Sequence, residues 1–192
     1  MLDLFATQFE DPAQARAIAK IEPRPMAAFL YGAALVMGAL LSLLVVYIDR
    51  LSFSAVLSFA LAGVMTYVLA WIPWTFFLHG LCRVLGFRAS LTSLQTQLTL
   101  ALVPLIVLPP VGLVQCLFPQ GTKMIFWLVS LAAVSLMFIF WRQGIIANYG
   151  MTRTQATIAL VISFVMVGVF LSIFLAGVIS SFFLGSVASA LL

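Results

Sequence analysis

The chain has 192 residues, of which 65% are apolar and 7% charged. A soluble domain carries about 25% charge, so a soluble globule of this composition has no polar coat to show to water. The same numbers exclude a disordered chain and a disulfide scaffold and leave an integral membrane protein.

The first 24 residues hold Asp3, Glu10, Asp11, Arg16, Lys20, Glu22 and Arg24. They contain no apolar core of the kind a signal peptide needs. Asp11-Pro12 reads as a helix start, with Asp as N-cap and Pro at the first helical position. Residues 13–20 are rich in Ala, and Glu22-Pro23-Arg24-Pro25 stops the helix. Leu2, Leu4, Phe5 and Phe9 give the preceding stretch an apolar side. Two readings stand open for this segment: a short helix at the cytoplasmic interface, or a frayed tail.

Five uncharged apolar stretches follow. A crossing helix needs about 20 apolar residues, which places spans near 26–48, 54–78, 91–115, 124–142 and 155–180, followed by an apolar tail. The runs are continuous rather than alternating, which excludes a β-barrel. The expected fold is all-α: a polytopic five-helix transmembrane bundle over 25–192, preceded by the short N-terminal segment 1–24. Arg16, Lys20, Arg24, Arg83, Arg88, Arg142 and Arg153 fall on one side, against Arg50 and Lys123 on the other. That asymmetry predicts a cytoplasmic N-terminus and a C-terminus outside. Cys82 and Cys116 then lie at opposite ends of the bundle, too far apart for a disulfide.

Close approach by small residues is what packs helices in lipid. Ala34, Gly38 and Ser42 form such a ridge in the first span. Ser54, Ser58, Ala62 and Thr66 form one in the second. Gly168, Ser172, Ala176 and Ser180 form one in the fifth, beside a second ridge of Gly177, Ser181, Gly185 and Ser189. The third span differs. Thr92, Gln95, Thr96 and Thr99 fall within about a 100° arc, with Leu91, Leu94, Leu98 and Ala101 opposite. A polar stripe belongs in the interior or against a cleft rather than in lipid. Pro104, Pro109 and Pro110 kink or end the outer half of this span, and Pro73 does likewise in the second. Trp71 and Trp74 beside Pro73 read as an interfacial aromatic belt.

The chemistry of catalysis is missing. No Asp or Glu lies within a span, His79 is the one histidine, and His79 with Cys82 lacks a third metal ligand. There is no acid to orient a Ser-His nucleophile and no Gly-rich phosphate loop. The expectation is a non-enzymatic protein with no catalytic residue, cofactor or metal. Nucleic acid is not an expected partner, because the formal charge of +4 comes from scattered basic residues rather than a patch. Arg83, Arg88, Arg142 and Arg153 sit in two loops on one side of the membrane. They read as topogenic charge and caps, or as a cytoplasmic docking surface or anionic headgroup face.

Several segments carry a resemblance. Asp11-Pro12 precedes a short helix and the first span. Leu85-Gly86-Phe87-Arg88-Ala89-Ser90-Leu91 leads into Leu100-Ala101-Leu102-Val103-Pro104-Leu105, and Asn148-Tyr149-Gly150-Met151-Thr152-Arg153-Thr154-Gln155-Ala156 leads into the fifth span. Over nearly the whole chain this pattern resembles the Yip family (Ypt/Rab-interacting, Yip-one domain) of multipass membrane proteins. The short N-terminal segment is similar to the bacterial members. The vesicle-trafficking and GTPase-binding role of the eukaryotic members, which have a longer cytoplasmic N-terminus, is therefore not carried over. The resemblance implies an inner-membrane multipass protein. The expected role is a scaffold that organises lipids or partners. Its partners would be membrane lipids, other membrane proteins or further copies of itself. The alternative is a small transporter or channel for a lipid or apolar solute, with Thr92, Gln95, Thr96 and Thr99 as its wall.

Overall fold

The computed structural model describes residues 2–47 and 53–190, and these are helical with no strand among them. Two short helices, α1 (Leu2–Glu10) and α2 (Pro12–Ile21), come first. The spans follow as α3 (Pro25–Tyr47), α4 (Phe53–Val84), a broken third span, α7 (Pro119–Tyr149) and α8 (Arg153–Ala190). The third span is α5 (Leu91–Leu100), a 3₁₀ turn (Val103–Val107) and α6 (Leu108–Leu117). Five segments are long and apolar enough to cross a membrane. The chain is a multipass membrane protein of the expected all-α class.

The spans α3, α4, α8 and α7 follow one another around the bundle, and the third span closes the circuit between α7 and α3. The third span is 61% buried, against 17–28% for the other four. From Thr96 to Ala101 it is enclosed: Leu98 and Ala101 are as buried as Thr96 and Thr99, while Thr92 at its start is exposed. Thr96 and Thr99 of the polar stripe, and Leu94 and Leu98 opposite them, all meet protein.

The N-terminal segment is a helical hairpin rather than a single helix. Asp11 caps α2 as its position implies, accepting from the N–H groups of Ala13 and Gln14 at 3.0 and 3.1 Å. Leu4 of α1 and Ala19 of α2 pack on Leu100 of α5. Lys20 donates to the carbonyl of Ala147 at 3.1 Å, at the C-terminal turn of α7 where a cation also complements the helix dipole. We call this end of the bundle the hairpin end.

Helix termini at the hairpin end are closed by identifiable groups. Gly150 ends α7 with φ +70°, and Gly86 turns the chain after α4 with φ +89°, both in the left-handed region that favours glycine. Thr152 and Gln155 form a capping box at the start of α8: each accepts from the other's backbone N–H. Asn148 of α7 reaches the carbonyl of Ser90 at 3.3 Å, and Ser90 is the N-cap of α5.

Several sequence expectations need correction. Fourth and fifth spans are longer than expected, because the helices continue through uncharged polar and apolar residues that carry no stop signal: α7 runs on to Tyr149 and α8 to Ala190. The ridges of small residues are mostly not the packing faces. Ser58, Ala62 and Thr66 are exposed, as are Ala34, Gly168 and Ser172, and a Cβ at Gly168 would meet nothing within 4 Å. The side chains of Ser54, Ala176 and Ser180, and the second ridge from Gly177 to Ser189, lie outside the described residues, as do Asp49 and Arg50. The first-span ridge does pack at Gly38, where a Cβ would come within 3.2 Å of Pro109, and at the buried Ser42; other close approaches fall outside the ridges. A Cβ at Gly32 would run into the hydroxyl of Tyr67, and one at Gly112 would come within 3.0 Å of Ser42. Trp71 and Trp74 are buried at 6% and 4% exposure. They form part of the core rather than an interfacial belt, because Trp71 stacks on Tyr67 and Trp74 meets Trp141 of α7 and Phe164 of α8.

Candidate functional site

Only half of the expected polar stripe, Thr96 and Thr99, lies within the bundle. Thr96 Oγ1 donates to the carbonyl of Thr92 at 2.9 Å, and Thr99 Oγ1 to that of Gln95 at 3.0 Å. These are the back-bonds to the preceding turn that threonine makes in apolar surroundings. Thr96 also accepts the backbone N–H of Arg24 at 3.1 Å, which has no helical partner because it precedes α3. Thr92 is exposed and pairs with the Ser90 hydroxyl at 2.6 Å. Gln95 is half-buried and borders an open groove between α3 and α4, among Pro25, Met26, Phe29 and Phe76.

The fully buried amide of this helix is Gln97, two residues on. It is 1% exposed, its Nε2 donates to Ser93 at 3.2 Å, and its Oε1 has no partner among the described residues. Its signal in the sequence is the one that marked Gln95: an amide inside an otherwise apolar span.

The third span breaks just past this face. Leu102 turns its N–H to the carbonyl of Thr99 at 2.9 Å, which leaves the carbonyl of Leu98 without its helical donor. The indole of Trp141 fills the vacancy, donating from Nε1 at 2.9 Å. A second indole ties α4 to α8: Trp74 Nε1 donates to Ser163 Oγ at 2.9 Å, and that hydroxyl donates to the Leu160 carbonyl. Trp74 and Trp141 meet edge to face at 4.9 Å, with Phe164 against both. Between them and the far end lies an apolar cavity of about 360 Å³. Val36, Tyr67, Leu105, Trp141 and Phe164 line it, so each of the five spans contributes. It stands beyond the threonine stripe, not beside it.

The four arginines of the candidate docking face separate. Arg83, in the last turn of α4, and Arg88, on the loop to α5, are exposed. Arg142 and Arg153 come together across the α7–α8 turn, in a cleft of about 500 Å³. Arg16 from α2 joins them there. Nothing in the sequence signals that meeting, because it depends on the hairpin folding back onto α7. Arg16 Nη1 and Arg142 Nε are buried and lack hydrogen-bond partners among the described residues. The ion pair at this end, Arg24 with Glu22 at 3.5 Å, involves neither.

No protein-family model, curated protein or solved structure matches this chain.

The indole bonds yield a differential prediction. Trp141→Phe removes the Leu98 partner and leaves a buried carbonyl unpaired, which costs about 1–3 kcal/mol. Trp74→Phe leaves Ser163 still bonded to Leu160, so the lost bond costs only about 0.6 kcal/mol. Thermal unfolding in detergent should show Trp141→Phe melting clearly below Trp74→Phe. The reverse order would mean that the Leu98 carbonyl finds another donor.

Proposed function

We propose that this protein is a non-enzymatic membrane scaffold that organises anionic lipid at one face of the bilayer. The observation that carries the reading is the contrast between its interior and its hairpin end. Inside, the threonines of α5 are consumed by the helix itself. At the hairpin end, Arg16 and Arg142 are partly buried, and Nη1 of the one and Nε of the other stand without hydrogen-bond partners among the described residues. Cations so placed are matched by the negative charge of lipid headgroups. The Yip-like segments support the same reading, and with it an inner-membrane location.

The excess of Lys and Arg at the hairpin end supports an orientation with that end in the cytoplasm. The described α8 ends at the opposite side, so its terminus faces outward in this reading. A second reading, passage of an apolar solute, draws on the 360 Å³ cavity rather than on the polar face of the third span. What favours the scaffold is that Thr96 and Thr99 bond their own helix and do not line that cavity.

Two measurements test the proposal. In proteoliposomes, spin-labelled phosphatidylglycerol should show a larger motionally restricted fraction than spin-labelled phosphatidylcholine, and high salt should narrow the gap. Equal fractions at low salt contradict lipid organisation. A periplasm-dependent reporter enzyme fused after α8 should be active, and the same reporter fused before α1 silent; the opposite pattern reverses the orientation.

A further inference from the structure

The basic cleft does not stand alone. Along the same α2–α7 seam lies an apolar groove of about 310 Å³. Pro12 of α2, Leu136 and Phe140 of α7, and Val103 and Val107 of the 3₁₀ turn line it. The two depressions are stacked in register. Pro12 in the groove and Arg16 in the cleft are one turn apart on α2, about 6 Å along its axis. Leu136 in the groove and Gln143 in the cleft are two turns apart on α7, roughly 10 Å. A single surface track therefore passes from three arginines to an apolar channel within the length of a few bonds. Ile139, between Leu136 and Gln143 on α7, is exposed and continues the apolar wall.

Among the described residues, no side-chain hydrogen bond or ion pair engages the guanidinium groups of the cleft. Lys20, next to it, is occupied by the Ala147 carbonyl. Asp11, the nearest acid to Arg16, has its carboxylate on the Ala13 and Gln14 amides. Burial lowers the affinity of the Arg16 guanidinium for its proton, and Asp11 only partly restores it. An arginine in a protein nevertheless keeps its charge. The N-terminus of α8 opens at Arg153, so the positive end of that helix dipole adds to the same field.

We propose that the α2–α7 seam binds one anionic phospholipid, with its phosphate on Arg16, Arg142 and Arg153 and the upper part of an acyl chain in the adjoining groove. The proposal rests on the lipid-organising reading and gives it a site. Guanidinium forks suit a phosphate because they donate in pairs to its oxygens. The groove selects a lipid over a free phosphate, since each methylene it takes from its surroundings adds to affinity only for a ligand with a chain. The track begins at the bundle's rim and runs toward the apolar belt, which is the path a lipid at the interface follows.

The test is native mass spectrometry of the full chain in detergent, titrated with dioleoyl-phosphatidylglycerol, dioleoyl-phosphatidylcholine, glycerol 3-phosphate and inorganic phosphate. Wild type should bind phosphatidylglycerol about tenfold or more tighter than phosphatidylcholine. The double variant Arg16→Gln/Arg142→Gln should lose that preference, and Lys123→Gln at the far end should keep it. Thermal unfolding of lipid-free protein supplies a second readout. The double variant removes partly buried, clustered charges with unpaired buried nitrogens, so its melting temperature should equal or exceed that of wild type. A lower melting temperature would make the arginines structural and overturn the proposal. Glycerol 3-phosphate or inorganic phosphate binding as tightly as the long-chain lipid would overturn the lipid assignment in favour of a small phosphate. A preference kept by the Arg16/Arg142 variant and lost in Arg83→Gln/Arg88→Gln would overturn the site while leaving the lipid-organising reading intact. No preference in wild type would remove both.

Discussion

Hydrocarbon offers no partner to a backbone carbonyl, and this bundle breaks a helix in its own core. The third span turns at Ala101 and Leu102 on the way to Pro104, and Leu98 is left with a carbonyl that its helix does not serve. The break is tolerable only because α7 brings an indole N–H to that oxygen. Much of the architecture follows from that requirement. Trp141 must face inward, so α7 packs on α5. The ring then needs aromatic neighbours, which Trp74 of α4 and Phe164 of α8 provide. Trp74 in turn secures α8 through Ser163. The most buried span is thus the one with the least regular backbone.

The five crossings, the broken third span and the start of α2 at Asp11-Pro12 were legible in the sequence. Length, apolar composition and proline chemistry act locally, and they leave a local trace. The packing faces were legible only at Gly38 and Ser42 of the first span. Ridges of small residues at Ser58, Ala62 and Gly168 look like contact surfaces by spacing alone. Yet which side of a helix meets protein is set by partners far away in sequence. Gly32 is a contact because Tyr67 arrives there, and no pattern within the first span announces Tyr67. The tryptophans misled for the same reason: position near a span end does not reveal that three aromatic rings wait in the interior.

The candidate site shows the same limit from the other side. The arginines of the two loops were visible as one charged face, and two of them do meet. Their third partner, Arg16, lies on a helix whose docking against α7 is a tertiary event. Of the polar stripe, Thr96 and Thr99 are interior while Thr92 is exposed and Gln95 half-buried, and the chemistry of the interior pair is self-contained. A threonine that bonds its own preceding turn needs no ligand, so interior polarity and function part company here. What remains chemically open is concentrated at the hairpin end, where buried guanidinium atoms border an apolar groove.

The interior face of α5 is closed, with the Thr96 and Thr99 hydroxyls bonded to their own helix, Gln97 fully buried, and no water path along it. Single cysteines at positions 92, 96, 97 and 99, in a chain whose Cys82 and Cys116 are replaced by Ala, test it directly through labelling by a membrane-impermeant thiol reagent in proteoliposomes opened to both sides. The account predicts rapid labelling at 92, which is exposed, and none at 96, 97 or 99 until the protein is denatured. Labelling at 97 and 99 in the native protein would reveal an aqueous path through the bundle and contradict it.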